Sequence, residues 1–165
     1  ACLNPDVRSI TVVERSKEVI SMFKKHILPQ IPNNQIIDII NEDAYKLFNK
    51  EYIDKFDQVF VDIYQSNDDG LRVIESLLTQ YNPPIDKLDF WIEFSCLEVL
   101  PALILLYYCE LLDIKYHSSL IKIYKKQYDK IIKYFSEIDK TIDDVDRLKT
   151  YMYDIETLRD ILAQR

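Results

Sequence analysis

Catalytic or metal chemistry in this chain would have to come from few side chains: two histidines, His26 and His117, three cysteines, Cys2, Cys96 and Cys109, and a single glycine in 165 residues. His117 stands beside Ser118 and Ser119, and an imidazole next to a hydroxyl could act as its base and turn it into a nucleophile. A triad is a matter of spatial geometry, however, and a serine opening a helix already has work as its cap. We therefore read Ser118 or Ser119 as a cap and expect no catalytic residue. Neither histidine has a partner ligand at helical spacing, since Asp113, four residues before His117, lies with it in a short polar link, and the cysteines lack the paired spacing of a metal site, so no metal is expected. A glycine-rich phosphate cradle is excluded by the single glycine, and no cofactor is expected. Carboxylates and the 12 tyrosines are numerous enough to meet by chance, and spacing singles out no pair.

What remains is charge. The net charge is −7, distributed as +2 over residues 1–32, −11 over 33–114, +4 over 115–138 and −2 over 139–165. Carboxylates on several successive helices sum to a field that attracts a basic partner and speeds encounter. The candidate partner-binding residues are Asp38, Glu42, Glu51, Asp54, Asp62, Asp68 and Asp69. A second candidate is the stripe Lys122, Lys126, Lys130 and Lys133, which could hold phosphates of a nucleic acid or an anionic membrane. It contains no arginine and belongs to an acidic protein, so nucleic acid is disfavoured. The plainer reading is a solvated face partly paired with Asp139, Asp143, Asp144 and Asp146.

These side chains must be positioned by helices. One glycine leaves few means of making tight hairpins, and the dominant residues are Leu, Ile, Lys, Asp, Glu and Tyr. The length suits one domain, and we expect one over 1–165 with residues 1–10 as a loose arm. Thr11 and Glu14 read as a capping box that opens a helix over about 12–28, closed by Pro29 and Pro32. Asn33 or Asn34 then caps a helix bearing Ile36, Ile37, Ile40, Ala44, Leu47 and Phe48 on one side. A third spans 49–65 with Tyr52, Ile53, Phe56, Val59, Phe60 and Ile63 inward, which leaves Val61 as an aliphatic misfit towards solvent. SNDDG, Ser66–Gly70, reads as a turn, followed by a helix to Tyr81.

The organising stretch is about 86–112. Val99 to Cys109 are eleven uncharged residues with apolar side chains all round, which implies burial on nearly every side. Eleven residues fall short of the roughly 20 needed to cross a bilayer, so no transmembrane segment is expected. Pro101 predicts a kink near 97–101 or a break into two helices there. Cys96 and Cys109 lie about 20 Å apart along this helix, so reduced thiols and a cytoplasmic setting are expected. A lysine-bearing helix over about 118–138 and a last helix from about Thr141 follow. In the last, Val145, Leu148, Met152 and Ile155 form a seam whose next place holds Arg159.

The expected fold is all-α, six or seven helices around a buried, Pro-kinked central helix. The expected function is a non-enzymatic protein-binding domain, of the type of an acidic immunity or inhibitor protein that neutralises a basic partner such as a nuclease toxin. One alternative is a helical adaptor that accepts an amphipathic helix in a groove, similar in architecture to the apoptosis regulators but without their glycine-containing motifs. The remaining one is an enzyme with a site of scattered carboxylates and tyrosines.

Overall fold

Three short runs rich in β-branched residues, ITVVE, IDIIN and VFV, and a fourth, LDF, form strands in the computed structural model, which describes residues 4–137, 142 and 145–165. The molecule is mostly helical, as the all-α expectation has it, and adds two short two-stranded parallel sheets that the sequence reading did not include. Parallel strands are joined by long crossovers and need no hairpin turns, so a scarcity of glycine says nothing against them. The chain divides into two compact units, 1–52 and 53–165, each with its own sheet.

In the first unit β1 (Ile10–Glu14) pairs with β2 (Ile37–Asn41), from Ile10 opposite Ile37 to Glu14 opposite Asn41. Side chains stiff at χ1 pack well on a pleated surface, which favours strand here over the helix read from the capping box. The crossover helix α1 (Lys17–Met22) is capped by Ser16, whose Oγ accepts the Val19 N–H at 3.2 Å. It widens into a π turn over Phe23–Ile27 and tightens at Leu28–Gln30. Instead of one helix after Asn34 there is β2, then α2 (Ala44–Leu47), capped by Asp43. The short helix α3 (Lys50–Ile53) follows, and Ile10, expected in a loose arm, opens β1.

In the second unit β3 (Val59–Val61) pairs with β4 (Leu88–Phe90), with α4 (Asn67–Gln80) between them. This accounts for Val61: in a strand it alternates with its neighbours, so Val61 is 7% exposed and Phe60, expected inward, is 65% exposed. Ile63 is also exposed rather than inward. SNDDG is the start of α4 and not a turn, for Ser66 and Asp69 make a capping box. The backbone N–H groups of Gln65 and Ser66 hold the Asp69 carboxyl below its ordinary range.

Gly70 is buried in the first turn of α4 against Cys96, where a methyl group would overlap Sγ and lie 3.1 Å from the Cys96 Cβ. Gly70→Ala should therefore destabilise by about 1 to 3 kcal/mol through overpacking, although alanine is the better helix former by about 1 kcal/mol. Chemical denaturation checks this. The Cys96→Ala background should restore much of the loss, and a single variant as stable as the parent would show that this contact is absent.

The organising stretch comprises α5 (Glu93–Leu97) and α6 (Val99–Leu111), with Glu98 at the junction. Pro101 is buried in the first turn of α6, where its missing N–H has no intrahelical partner to lose. Leu97, Leu100, Leu103 and Ile104 are 0% exposed, but Leu105 is 41% and Leu111 52% exposed, so burial on every side is corrected to burial on one. That side packs on α8 (Lys125–Glu137) and α9 (Val145–Tyr153). By length and composition alone the 19 residues Glu93–Leu111, with mean hydropathy 1.6, are enough to cross a membrane.

The lysine-bearing stretch is α7 (Leu120–Ile123) and α8, separated at Tyr124. The final stretch also divides: Asp154 caps α10 (Ile155–Ala163) through the Thr157 N–H at 3.1 Å, and α10 packs on α4 and α8. Cys96 is buried and Cys109 half-buried, both as free thiols, and burial raises the Cys96 thiol above its ordinary range. Cys2, Ile138, Asp139, Thr141, Asp143 and Asp144 lie outside the described residues.

Candidate ligand site at the strand ends

Because β1 and β2 are parallel, their carboxyl ends open at one edge. Glu14 ends β1 and Asn41 ends β2, directly opposite. The Asn41 side chain donates Nδ2 to the carbonyls of Glu14 at 3.0 Å and Arg15 at 2.9 Å, which ties the end of β2 to the turn leaving β1. Glu14 accepts the Ser16 N–H on Oε1 at 2.6 Å, so its carboxylate is oriented by the same turn that starts α1. Among the described residues Oε2 has no partner.

Beyond β2, Glu42 Oε1 accepts the Asp43 N–H at 2.8 Å and pairs with Lys46 at 3.0 Å. The Asp43 N–H, then the Lys46 ammonium, lower the Glu42 carboxyl from its ordinary value. Asp43 Oδ1 accepts the Tyr45 N–H at 2.9 Å. Asn41 also lines an open depression of about 530 Å³ with Lys17, Ile20, Ser21, Lys24 and Lys25. The arrangement offers a positioned carboxylate as hydrogen-bond acceptor beside a lysine-lined hollow. Sequence reasoning used Glu14 only as a helix cap and passed over Asn41; the available signal was an acid closing a β-branched run.

The candidate acidic residues fall in both units. Asp38 is exposed on β2, Glu42 half-buried after it and Glu51 exposed on α3. In the second unit Asp54 is engaged internally, accepting from the Tyr81 hydroxyl at 2.8 Å and lying 3.8 Å from the Lys87 ammonium. Asp69 is held in the α4 capping box, while Asp62 and Asp68 are exposed.

Most of the lysine stripe turns towards the protein itself. Lys130 and Lys126 lie 2.9 and 3.2 Å from Oε1 of Glu75, which is 4% exposed, and Gln127 donates to the other oxygen at 2.9 Å. Burial pushes the Glu75 carboxyl up, and the ammonium groups of Lys130 and Lys126 more than offset it, leaving it below the ordinary range. Lys130 also donates to the Leu162 carbonyl at 2.5 Å, and Lys133 to that of Arg165 at 3.2 Å, so α8 is tied to α4 and the C-terminal segment. Lys122 is exposed on α7, and Asp146 pairs with Lys149 at 3.8 Å.

Among the described residues no group of three His, Cys, Asp or Glu side chains is placed to hold a metal ion. Comparison of the chain with protein-family models, with curated proteins and with solved structures finds no match.

Proposed function

We propose that the first unit binds a ribonucleoside-type ligand at the carboxyl ends of β1 and β2, with the Glu14 carboxylate accepting from the sugar hydroxyls. The observation that carries this is the strand–helix–strand unit whose parallel register sets Glu14 against Asn41 at the carboxyl ends of the strands. One carboxylate can accept from both hydroxyls of a ribose diol, and here the acid that offers this closes β1 rather than the second strand. Without a glycine-rich cradle in these 165 residues, the anchor here is the sugar rather than a pyrophosphate.

The test is a titration of the whole chain with adenosine and with 2′,3′-dideoxyadenosine, followed by calorimetry. Adenosine should bind at least about tenfold more tightly, since an unpaired carboxylate is costly, and Glu14→Ala, which removes both acceptor oxygens, should abolish the difference. Equal binding of the two nucleosides, or none of either, would overturn the reading.

A second reading, a non-enzymatic domain that docks a basic protein as an inhibitor or immunity protein does, is favoured by the exposure of Asp62 and Asp68 in the second unit, within the −11 block. In it the second unit is a helical body around a central helix bent at Glu98–Pro101, rigid enough to present such a surface.

A further inference from the structure

The outward face of the sheet in the second unit carries a pattern that neither the strand-end site nor the helix packing uses. Val61, Leu88 and Phe90 point inward and are buried, while the alternate positions Phe60 and Asp89 are exposed and stand opposite each other. The Trp91 N–H donates to the Val61 carbonyl at 3.0 Å, extending the pairing one step beyond the strands, so Asp62 and Trp91 are neighbours in turn. Aromatic and acid therefore alternate on this face: Phe60 beside Asp89, Asp62 beside Trp91.

Parallel sheets are normally covered on both faces, yet Phe60 is 65% and Trp91 42% exposed. Tyr64 stacks on Trp91 with ring centroids 6.3 Å apart and donates its hydroxyl to the Trp91 carbonyl, so the indole stands on a fixed support. Burial, then the neighbouring Cys96, raises the Tyr64 hydroxyl well above its ordinary value, keeping it a donor. Lys87, the base that leads into β4, is turned to Asp54 and leaves Asp89 to the surface. Among the described residues β3 and β4 pair only with each other, and the Leu88 carbonyl on the outer edge of β4 is taken by Arg159, which leaves the β3 edge to an extended segment.

We propose that this face docks an extended, arginine- or lysine-bearing segment of a partner protein, each cation lying over an aromatic ring with a carboxylate at its side. A cation on an aromatic face gains from the ring quadrupole, and the adjacent acid supplies the charge-assisted hydrogen bond, so charge and shape favour a basic occupant over an apolar one. This rests on the second reading, a basic partner, and gives it a place.

Trp91 is the single tryptophan of the chain, so its emission reports on this face directly. The experiment titrates the whole chain with octa-arginine, following Trp91 emission and the heat of binding together. Saturable binding with a change in emission is expected. Asp62→Asn with Asp89→Asn should weaken it by about tenfold or more, and Phe60→Ser severalfold. The control, Asp146→Asn with Glu137→Gln on exposed positions of α9 and α8, makes the same charge change elsewhere and should leave affinity within about twofold. If heat of binding appears with no change in emission, or the control pair weakens binding as much as the face pair, the proposed face is overturned while a basic partner stands. No binding in either signal at millimolar peptide overturns both.

Discussion

Replacing Arg159 with leucine should lower the unfolding free energy by about 3 to 5 kcal/mol, the usual cost of breaking a buried ion pair by removing one partner. Arg159 is 3% exposed on α10, and its guanidinium binds Glu93 of α5 bidentately, Nε to Oε1 and Nη2 to Oε2, both at 2.7 Å. Nη2 also donates to the Leu88 carbonyl of β4 at 2.7 Å, and the group lies 5.5 Å from the centre of the Phe90 ring. One side chain thus closes α10 onto both β4 and α5. Its loss leaves the Glu93 carboxylate, 12% exposed, without its cation and the Leu88 carbonyl without a donor. Glu93→Gln should also destabilise, because it strands a cation that already has Nη1 buried without a partner among the described residues. The double variant Arg159→Leu/Glu93→Leu should lose less than the sum of the singles, with a coupling of about 0.5 to 3 kcal/mol, since no charge is then left unpaired. Denaturant unfolding of the four proteins measures the cycle. Single variants within about 1 kcal/mol of the parent would mean that the pair is hydrated and that α10 does not close on β4.

Arg159 also shows what the sequence could and could not convey. In a helix running from Thr141 to the end it is a charge in an apolar seam; in the structure the seam is interrupted at Asp154, and Arg159 belongs to a separate helix with an acid 66 residues away in sequence. Val61 is the parallel case, an aliphatic side chain on the polar side of a helical projection that is an inward position of β3. Both residues contradicted the helical frame locally, and both contradictions came from wrong elements. The body of α4 up to Tyr81 was legible, but its start was not, for the capping residues Ser66 and Asp69 lie in SNDDG, which reads as a turn. The strands were not, since three to five residues cannot distinguish a period of 2 from 3.6, and Ile36, Ile37 and Ile40 fit a helix as well as a strand. The strand-end arrangement was hidden for the same reason: Glu14 acquires its position only from the parallel register that brings Asn41 beside it.

Leu103→Ala should cost about 2 to 5 kcal/mol, and Leu105→Ala, two residues along the same uncharged run, no more than about 1 kcal/mol. Leu103 is 0% exposed on the side of α6 that meets α8 and α9, and packing there is too dense for neighbours to collapse into the space of an isobutyl group. Leu105 is 41% exposed, so much of its apolar surface is in water in both folded and unfolded states and its removal opens no cavity. Leu106, half-buried, should fall between them. Uniform burial of Val99–Cys109 would make the three equal, so their order tests which side of α6 faces the core. Urea unfolding at one protein concentration gives the order, with the slope unchanged if each variant alters only the native state. A Leu105→Ala cost as large as that of Leu103→Ala would mean that the outer side of α6 is covered in solution. Repeating the unfolding at tenfold higher protein concentration would then show whether a second copy covers it, since only an associating protein gains stability by mass action.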